Sequence, residues 1–452
     1  MIENRETLAA SERHGMVLDC LAAGIEAAHP DRVVRESVAL AGDSLRIGNA
    51  AYDLGEYDDV VVLGGGNAAA GVAAALESLL GDAIDGGVVV TDDPVVTDRV
   101  AVVEGDHPVP SDRGAEGARR VRQRAATADG STLVLAVITG GGSALLPTPA
   151  GDLTLDDLRA TTEALLASGA AIDEINAVRK HCSAIKGGRL AAAAAPATVV
   201  TLAFSDVVGD DPGVIASGPT VPDPTTYGDA LAVIDRYGVD VPPAVRDHLE
   251  AGSEGDRPET PDPADGEGKA EAAADAGFEH VSYHVLADAW TAMDAARDVA
   301  SERGYETLVL SSRVRGEARE QGLGHAAVAE EIAASGNPVD PPAVVISGGE
   351  TTVTVRGEGR GGPNQEFALR AALELPESAV VGAVDTDGRD GATDAAGALV
   401  DGALIDGPAA AAAARAALAD NDTAPFLGER DAVVRTGQTG TNVNDLRVLL
   451  VE

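Results

Sequence analysis

The 452-residue chain is too long for one ordinary hydrophobic core, so two or three domains are expected, and 45% hydrophobic residues suffice to fill them. Thirty-three basic side chains against 74 acidic ones leave a formal charge of −41, which argues against a nucleic-acid backbone as partner; aromatics at 2% offer no stacking platform for bases. An anionic small substrate stays compatible if the scarce basic side chains gather in one cleft.

Only Lys180, Lys186 and Lys269 are lysines, the other basic residues being arginines. So large a negative charge is self-repelling in dilute salt and tolerable where salt screens it, so the chain reads as adapted to a very saline cytoplasm. An acidic protein of an ordinary cell is the plainer alternative. Cys20 and Cys182 are too few and too far apart for a metal motif, and no secretory or membrane-spanning run stands out. A soluble, cytoplasmic protein is expected.

Residues 7–28 read as a helix, with Pro30 ending the segment that follows it. Short strands and turns are expected over 31–40 and 45–52. Residues 58–63 form a stronger strand that runs into Gly64-Gly65-Gly66-Asn67 and an alanine-rich helix over 68–80. Strands at 87–91 and 101–103 and a helix at 114–126 continue an alternation typical of a layered α/β domain with mostly parallel strands. The clearest strand, 133–138, discharges into Thr139-Gly140-Gly141-Gly142-Ser143 and an apolar helical start. That arrangement points main-chain N–H groups and a helix N-terminus at an anion. Glycines let a ligand approach the backbone, and Ser143 is a helix cap or a ligand-binding hydroxyl.

An amphipathic helix over 154–168 precedes 172–190, where Arg179, Lys180, His181, Lys186 and Arg189 fall within about three helical turns. A solvated basic face is the bland reading, but lysine scarcity elsewhere favours an anion-facing cluster. The strand 198–204 delivers Asp206 and Asp210 at its carboxyl end, where ligands gather in parallel α/β sheets. Either could hold Mg²⁺ or orient a hydroxyl, or simply cap a turn. Residues 215–223 have the turn chemistry of a rigid loop, and 253–268 lack large apolar residues and read as linker or insertion. A second alternating unit follows from 280, with strands expected at 280–286, 307–310, 343–346, 351–356, 379–384 and 446–451. Its loops carry Asn364, Asp387, Asn442 and Asn444.

These strand-end loops supply anion-binding donors, positive charge, carboxylates and amides, which is the kit for phosphoryl transfer and equally for binding a phosphorylated metabolite. Hydride transfer is disfavoured because the turn after the strand 58–63, GGGNAAAG, is not GxGxxG, and serine hydrolysis because Ser143 in GGGSAL is not in a GxSxG elbow. His107 and His181 read as hydrogen-bonding residues before catalysts.

Seven segments, in order, resemble one family: GDHPVP (105–110), ITGGGSALL (138–146), INAVRKHCSAIKGGRLA (175–191), FSDVVGDDPGVIASGPTVPD (204–223), GGETTVTV (348–355), DTDGRDGATDAAGA (385–398) and TGTNVNDLRVLL (439–450). The family is the glycerate 2-kinases with a MOFRL-type C-terminal domain, a group often mislabelled hydroxypyruvate reductase. The resemblance implies an α/β protein with a Rossmann-like N-terminal domain (1–250), an acidic linker or insertion (251–279), a smaller α/β MOFRL-type domain (280–452) and an active site in the interdomain cleft. It implies transfer of the ATP γ-phosphoryl group to the 2-hydroxyl of D-glycerate with Mg²⁺ or another divalent cation, and leaves room for a homodimer. Arg179 and Lys186 would clamp anionic groups, and Asp206 and Asp387 would hold the metal or orient the hydroxyl. Gly65, Gly66, Asn67, Gly140, Gly141, Gly142, Ser143, Asn364, Asn442 and Asn444 would receive the nucleotide. Two departures stand out: the family's GAGKA is GGGNA here, with Asn67 for lysine, and its GGRNQE is GGPNQE, with Pro363 for arginine and Arg360 three residues earlier. They keep a noncatalytic or altered-substrate binding protein, and a hydroxypyruvate reductase, as alternatives.

Overall fold

The computed structural model describes residues 2–261 and 278–452. Chain contacts divide it into two units, Val33–Leu286 and Met1–Arg32 together with Ala287–Glu452.

In the first unit, Val38–Ala41 (β1), Ser44–Ile47 (β2) and Ala50–Asp53 (β3) form a small antiparallel sheet. The main sheet contains Asp59–Gly65 (β4), Gly86–Thr91 (β5), Val100–Glu104 (β6), Thr132–Thr139 (β7), Thr198–Phe204 (β8) and Val281–Ala287 (β9), in the order β6-β5-β4-β7-β8-β9. Strands β4 to β8 pair in parallel, as the alternation of strands and helices requires. All eight residues of β7 are buried, which explains its unbroken apolar run. Leu63, Val90, Val121, Ile138 and Leu190 belong to one core. A second cluster, including Leu165, Ile175, Val178, Ile234 and Leu249, fixes the helix Ile172–His181.

Three expectations change here. The helix expected at 7–28 is two helices, Arg5–Leu8 and Glu12–Ala27, because Ser11 caps the second by accepting from His14 N–H. Pro30 begins a helix, Pro30–Ser37, at a position where a missing N–H costs nothing. Residues 172–190 are not one helix: Gly187 and Gly188, at φ 57° and 77°, separate Ile172–His181 from Arg189–Ala194.

The second unit holds Glu306–Val314 (β10), Ala343–Gly349 (β11), Ala379–Asp385 (β12), Gly397–Asp401 (β13), Val433–Val434 (β14) and Asp445–Val451 (β15), in the order β10-β11-β15-β12-β13-β14. Only the β10–β11 pair is parallel. The last strand is therefore central, and all seven of its residues are buried. Residues 351–356 alternate in sequence yet form no strand. Side-chain acceptors take their main-chain donors: Glu317 accepts from Thr354 N–H, and Asn421 Oδ1 from Arg356 and Gly357 N–H.

The helix Glu12–Ala27 packs in this second unit. A Cβ on Gly24 would meet Ala292 O at 2.8 Å, and one on Gly382 would meet Leu21 and Val17. Conversely, β9 extends the first unit's sheet beside β8, with Val199 N–H donating to His280 O at 2.8 Å. The partition thus differs from boundaries at 1–250 and 280–452: both chain ends serve one unit, because the apolar stripe of the N-terminal helix and the free edge of β8 each need a partner. Residues 262–277 of the expected linker lie outside the described residues. Among the described residues no helix is long and apolar enough to cross a membrane.

With a formal charge of −41 the folded state repels itself, so raising KCl from 0.1 to 2 M is expected to lift the melting temperature by roughly 5 °C or more. Differential scanning fluorimetry reads this directly, and a flat or falling trend would contradict it.

Candidate active site

Strand order reverses between β4 and β7: β5 and β6 lie to one side, β8 and β9 to the other. In open parallel sheets the carboxyl ends at such a switch leave a crevice for ligand. Both glycine turns sit there, for different reasons. Gly64 and Gly66 serve packing. A Cβ on Gly64 would lie 1.9 Å from Val137 O, and one on Gly66 2.1 Å from Thr139 Oγ1. The turns are then tied together, Asn67 N–H donating to Gly140 O at 2.8 Å and Ala68 N–H to Thr139 Oγ1 at 3.2 Å. Gly140 and Gly141 instead admit neighbouring side chains: a Cβ would fall 2.2 Å from Asp206 Oδ2 at Gly140 and 1.8 Å from Asn67 Oδ1 at Gly141. Gly65, Gly66, Asn67, Gly140–Ser143 and Asp206 therefore converge from three strand ends. Asn67 Oδ1 is buried and has no hydrogen-bond partner among the described residues.

The helical start after the second turn, Gly142–Leu145, is a single turn. So short a helix carries little dipole, which corrects the expectation that a helix N-terminus supplies the attraction. Positive charge near the turn comes instead from side chains. Lys186 is buried, and its Nζ donates to Leu146 O at 3.1 Å, directly after that turn. Arg179 is half-buried beside it, and among the described residues neither is paired with a carboxylate. Burial, and secondarily the Arg179 charge, push the Lys186 ammonium down to about 7; burial also lowers Arg179. The other basic residues of the cluster are spent on the fold: Lys180 pairs with buried Asp223 at 3.1 Å, His181 bonds Ala177 O and Glu259, and Arg189 donates to the carbonyls of Lys180 and Ser183. The basic run is thus divided: Lys180 and His181 meet carboxylates, while among the described residues Arg179, Lys186 and Arg189 do not, Arg189 being tied into the fold by its two carbonyls.

Sequence reasoning missed what lies beneath the turn. Ser143 Oγ is 2.7 Å from Ser217 Oγ, and Ser217 donates to Asn176 Oδ1 at 3.1 Å. Ala216 and Ser217 both adopt left-handed backbone, at φ 50° and 62°, a strain that tends to collect at functional sites. The Ser217-Gly218-Pro219 segment signalled a rigid turn, but nothing in it marked a buried hydroxyl. Tyr283 on β9 was likewise unread. Its hydroxyl is buried without a hydrogen-bond partner among the described residues, and burial, then Asp211, Asp206 and Asp210, push its ionisation up.

The remaining residues expected in the site lie in the second unit. Asp387 follows β12 and accepts from Arg389 N–H at 2.7 Å. Asn364 is buried, its amide donating to Asp445 at 2.6 Å and to Asp390 at 3.3 Å, so its donors serve a core network. Burial, its largest influence, raises Asp390 to about 7. Asn442 Oδ1 accepts from Asn444 N–H at 3.0 Å, and Asn444 O accepts from Thr386, which holds the last loop against the loop after β12. Among the described residues no group of three or more His, Cys, Asp or Glu is poised for a metal.

A lysine lowered to about 7 is charged below that pH and neutral above it. Affinity for an anion at this turn is therefore expected to weaken as pH rises through 7 to 9, and Lys186→Arg to flatten the dependence. Phosphate or ATP titrations across that range measure it. The stability term runs the opposite way: a lowered ammonium makes the unfolded chain the greater proton binder between about 7 and 10.5, so Lys186 favours folding as pH rises through that window.

Two family models match the chain: the domain of unknown function DUF4147 over residues 16–250 and the MOFRL family over residues 343–445. A provisionally named hydroxypyruvate reductase of Agrobacterium vitis is 44% identical over 398 residues, covering 86% of this chain and 87% of that one. A glycerate 2-kinase of Pyrococcus horikoshii is 36% identical over 441 residues, covering 94% of both. The crystal structure of Thermotoga maritima glycerate kinase superposes with a TM-score of 0.82 at 36% identity, covering 97% of this chain and 99% of that one.

Proposed function

Because the chain belongs to the glycerate kinase family that joins a DUF4147 to a MOFRL domain, we infer that it is a glycerate 2-kinase, passing the γ-phosphoryl group of ATP to D-glycerate to give 2-phosphoglycerate and ADP. The observation that carries the reading is the pair Arg179 and Lys186: in a chain with more than twice as many acids as bases, a buried lysine and a half-buried arginine stand beside a glycine turn, and among the described residues neither is paired with a carboxylate. Such a pair costs folding free energy unless an anion completes it.

Gly65 and Gly66 shape the first turn, the Gly66 N–H donating to Val90 O at 3.0 Å, and the main-chain N–H groups of Gly140–Ser143, together with the Asn67 side-chain amide, receive phosphate oxygens. Arg179 and Lys186 offset their charge as the 2-hydroxyl oxygen bonds to the γ-phosphorus and gives its proton to a carboxylate base, while the bond from that phosphorus to the β,γ-bridging oxygen breaks and ADP leaves. Asp206 fits a divalent cation, since its carboxylate lies against the glycine turn and Mg²⁺ commonly takes one or two carboxylates with phosphate oxygens. Such an ion, when bound, supplies Lewis-acid stabilisation of the transferring group. Asp387, in the other unit, is the remaining carboxylate that the reading calls on. Asn67 brings no charge where a lysine is expected, which leaves more of the neutralisation to Arg179 and Lys186. Pro363 opens the helix Pro363–Ala372, and Arg360 takes over the lost arginine's charge: its guanidinium is exposed and unpaired among the described residues, while Asp422 and Ala424 pin its main chain.

The test is ADP release dependent on D-glycerate, with the product identified as 2- or 3-phosphoglycerate by NMR. Parallel trials with NADH and hydroxypyruvate address the reductase reading. NADH consumption without ADP release would overturn the assignment; nucleotide binding without turnover would favour a noncatalytic binding protein.

A further inference from the structure

A hydroxyl has one proton, and that fact orients the chain Ser143–Ser217–Asn176. Ser217 spends its proton on Asn176 Oδ1, so at the 2.7 Å contact it can only accept, and Ser143 must donate. Ser143, half-buried at the glycine turn, therefore turns lone pairs and no proton toward a ligand. Such an atom repels a carboxylate or phosphate oxygen and welcomes a donor. The arrangement is rigid: Ser217 and Asn176 are buried, Ser217 O accepts from Gly187 N–H at 3.1 Å, and a Cβ on Gly142 would lie 2.6 Å from the Ala216 Cβ. Ser217 is thereby linked to the turn, to the helix carrying Arg179 and to the residue after Lys186. Its left-handed backbone is the cost of putting one hydroxyl between all three.

We propose that Ser143 Oγ is a dedicated hydrogen-bond acceptor that selects the phosphoryl-accepting substrate by one of its hydroxyl groups, with Ser217 and Asn176 as positioning residues that commit its proton. The assignment rests on the glycerate kinase reading and divides its labour: anionic groups go to Arg179, Lys186 and main-chain N–H groups, and the alcohol goes to Ser143.

Equilibrium binding without ATP, by calorimetry on the full chain, tests it with D-glycerate, D-lactate (no 3-hydroxyl) and 3-hydroxypropionate (no 2-hydroxyl). In the wild type the analogue lacking the recognised hydroxyl is expected to bind about 5- to 10-fold more weakly than D-glycerate. Ser143→Ala should bring that ratio near one by weakening D-glycerate and the analogue that keeps the recognised hydroxyl while leaving the other analogue unchanged, and Ser143→Thr should keep it. Ser217→Ala, which leaves Ser143 in place but frees its proton, should also erode the ratio while leaving the affinity of the analogue that lacks the recognised hydroxyl unchanged, a split that a purely structural role would not produce. Equal weakening of all three acids in Ser143→Ala would mark Ser143 as an anion donor and overturn the proposal, as would an intact ratio in Ser217→Ala. A wild type that phosphorylates D-glycerate without discriminating the analogues overturns only this assignment. One that binds none of the three acids overturns the kinase reading with it.

Discussion

Arg179→Ala is expected to lower kcat/KM for D-glycerate phosphorylation by about 10²- to 10³-fold while leaving the melting temperature unchanged or higher. A side chain that merely holds the fold cannot do both. Arg179 is half-buried beside Lys186, and among the described residues no acid is paired with it, so its removal relieves desolvation and like-charge repulsion in the free protein. The same removal withdraws a positive charge from the place where phosphoryl charge accumulates. A third readout follows: without its cationic neighbour, Lys186 should titrate higher, moving the pH at which anion affinity fades upward. Steady-state kinetics, thermal melts and pH-dependent ATP titrations provide the three measurements. Activity within threefold of wild type would remove Arg179 from the reaction, and a melting temperature lowered by several degrees would make it structural.

Gly64→Ala is expected to destabilise the first unit by more than about 3 kcal/mol, enough to prevent accumulation of folded protein. Gly64 pairs with Val137 in the β4–β7 register, and its added Cβ would stand 1.9 Å from Val137 O, an atom of the central buried strand. Neither strand can retreat, because β5 and β8 flank them. Gly141→Ala is the informative contrast. There the obstruction is Asn67 Oδ1, a side-chain atom that can swing away, so the protein should fold and bind ATP poorly. Expression, circular dichroism and nucleotide titration of the two variants separate packing from ligand access. A stable Gly64→Ala protein with native melting would mean that the close strand approach is not required.

The glycine turns, the parallel strands feeding them, and Arg179 and Lys186 could be read from residue order because each leaves a local trace: an apolar run, a cluster of glycines, lysine where lysine is rare. Other features left none. Whether a basic residue meets a carboxylate depends on Asp223 or Glu259, tens of residues away, so the run 179–189 looked uniform although, among the described residues, Lys180 and His181 are paired with acids and Arg179, Lys186 and Arg189 are not. Ser217 and Asn176 gain meaning only from a contact across a turn. Residues 351–356 alternate like a strand, but Glu317 and Asn421 capture their donors from elsewhere in the chain. The membership of β9 and of the helix Glu12–Ala27 was equally invisible, since edges and apolar stripes do not announce their partners.

That helix has a consequence for biosynthesis. Its apolar stripe, Met16, Val17, Leu18, Leu21 and Ile25, leaves the ribosome long before Asp445–Val451, the central strand of the unit in which it packs. The segment Val33–Leu286 can be complete and folded while a sticky amphipathic helix still waits at its front end. For this chain the vulnerable interval is translation itself. Slowed elongation beyond residue 286 should lengthen the time that helix is available to chaperones, to proteases or to the helices of neighbouring nascent chains.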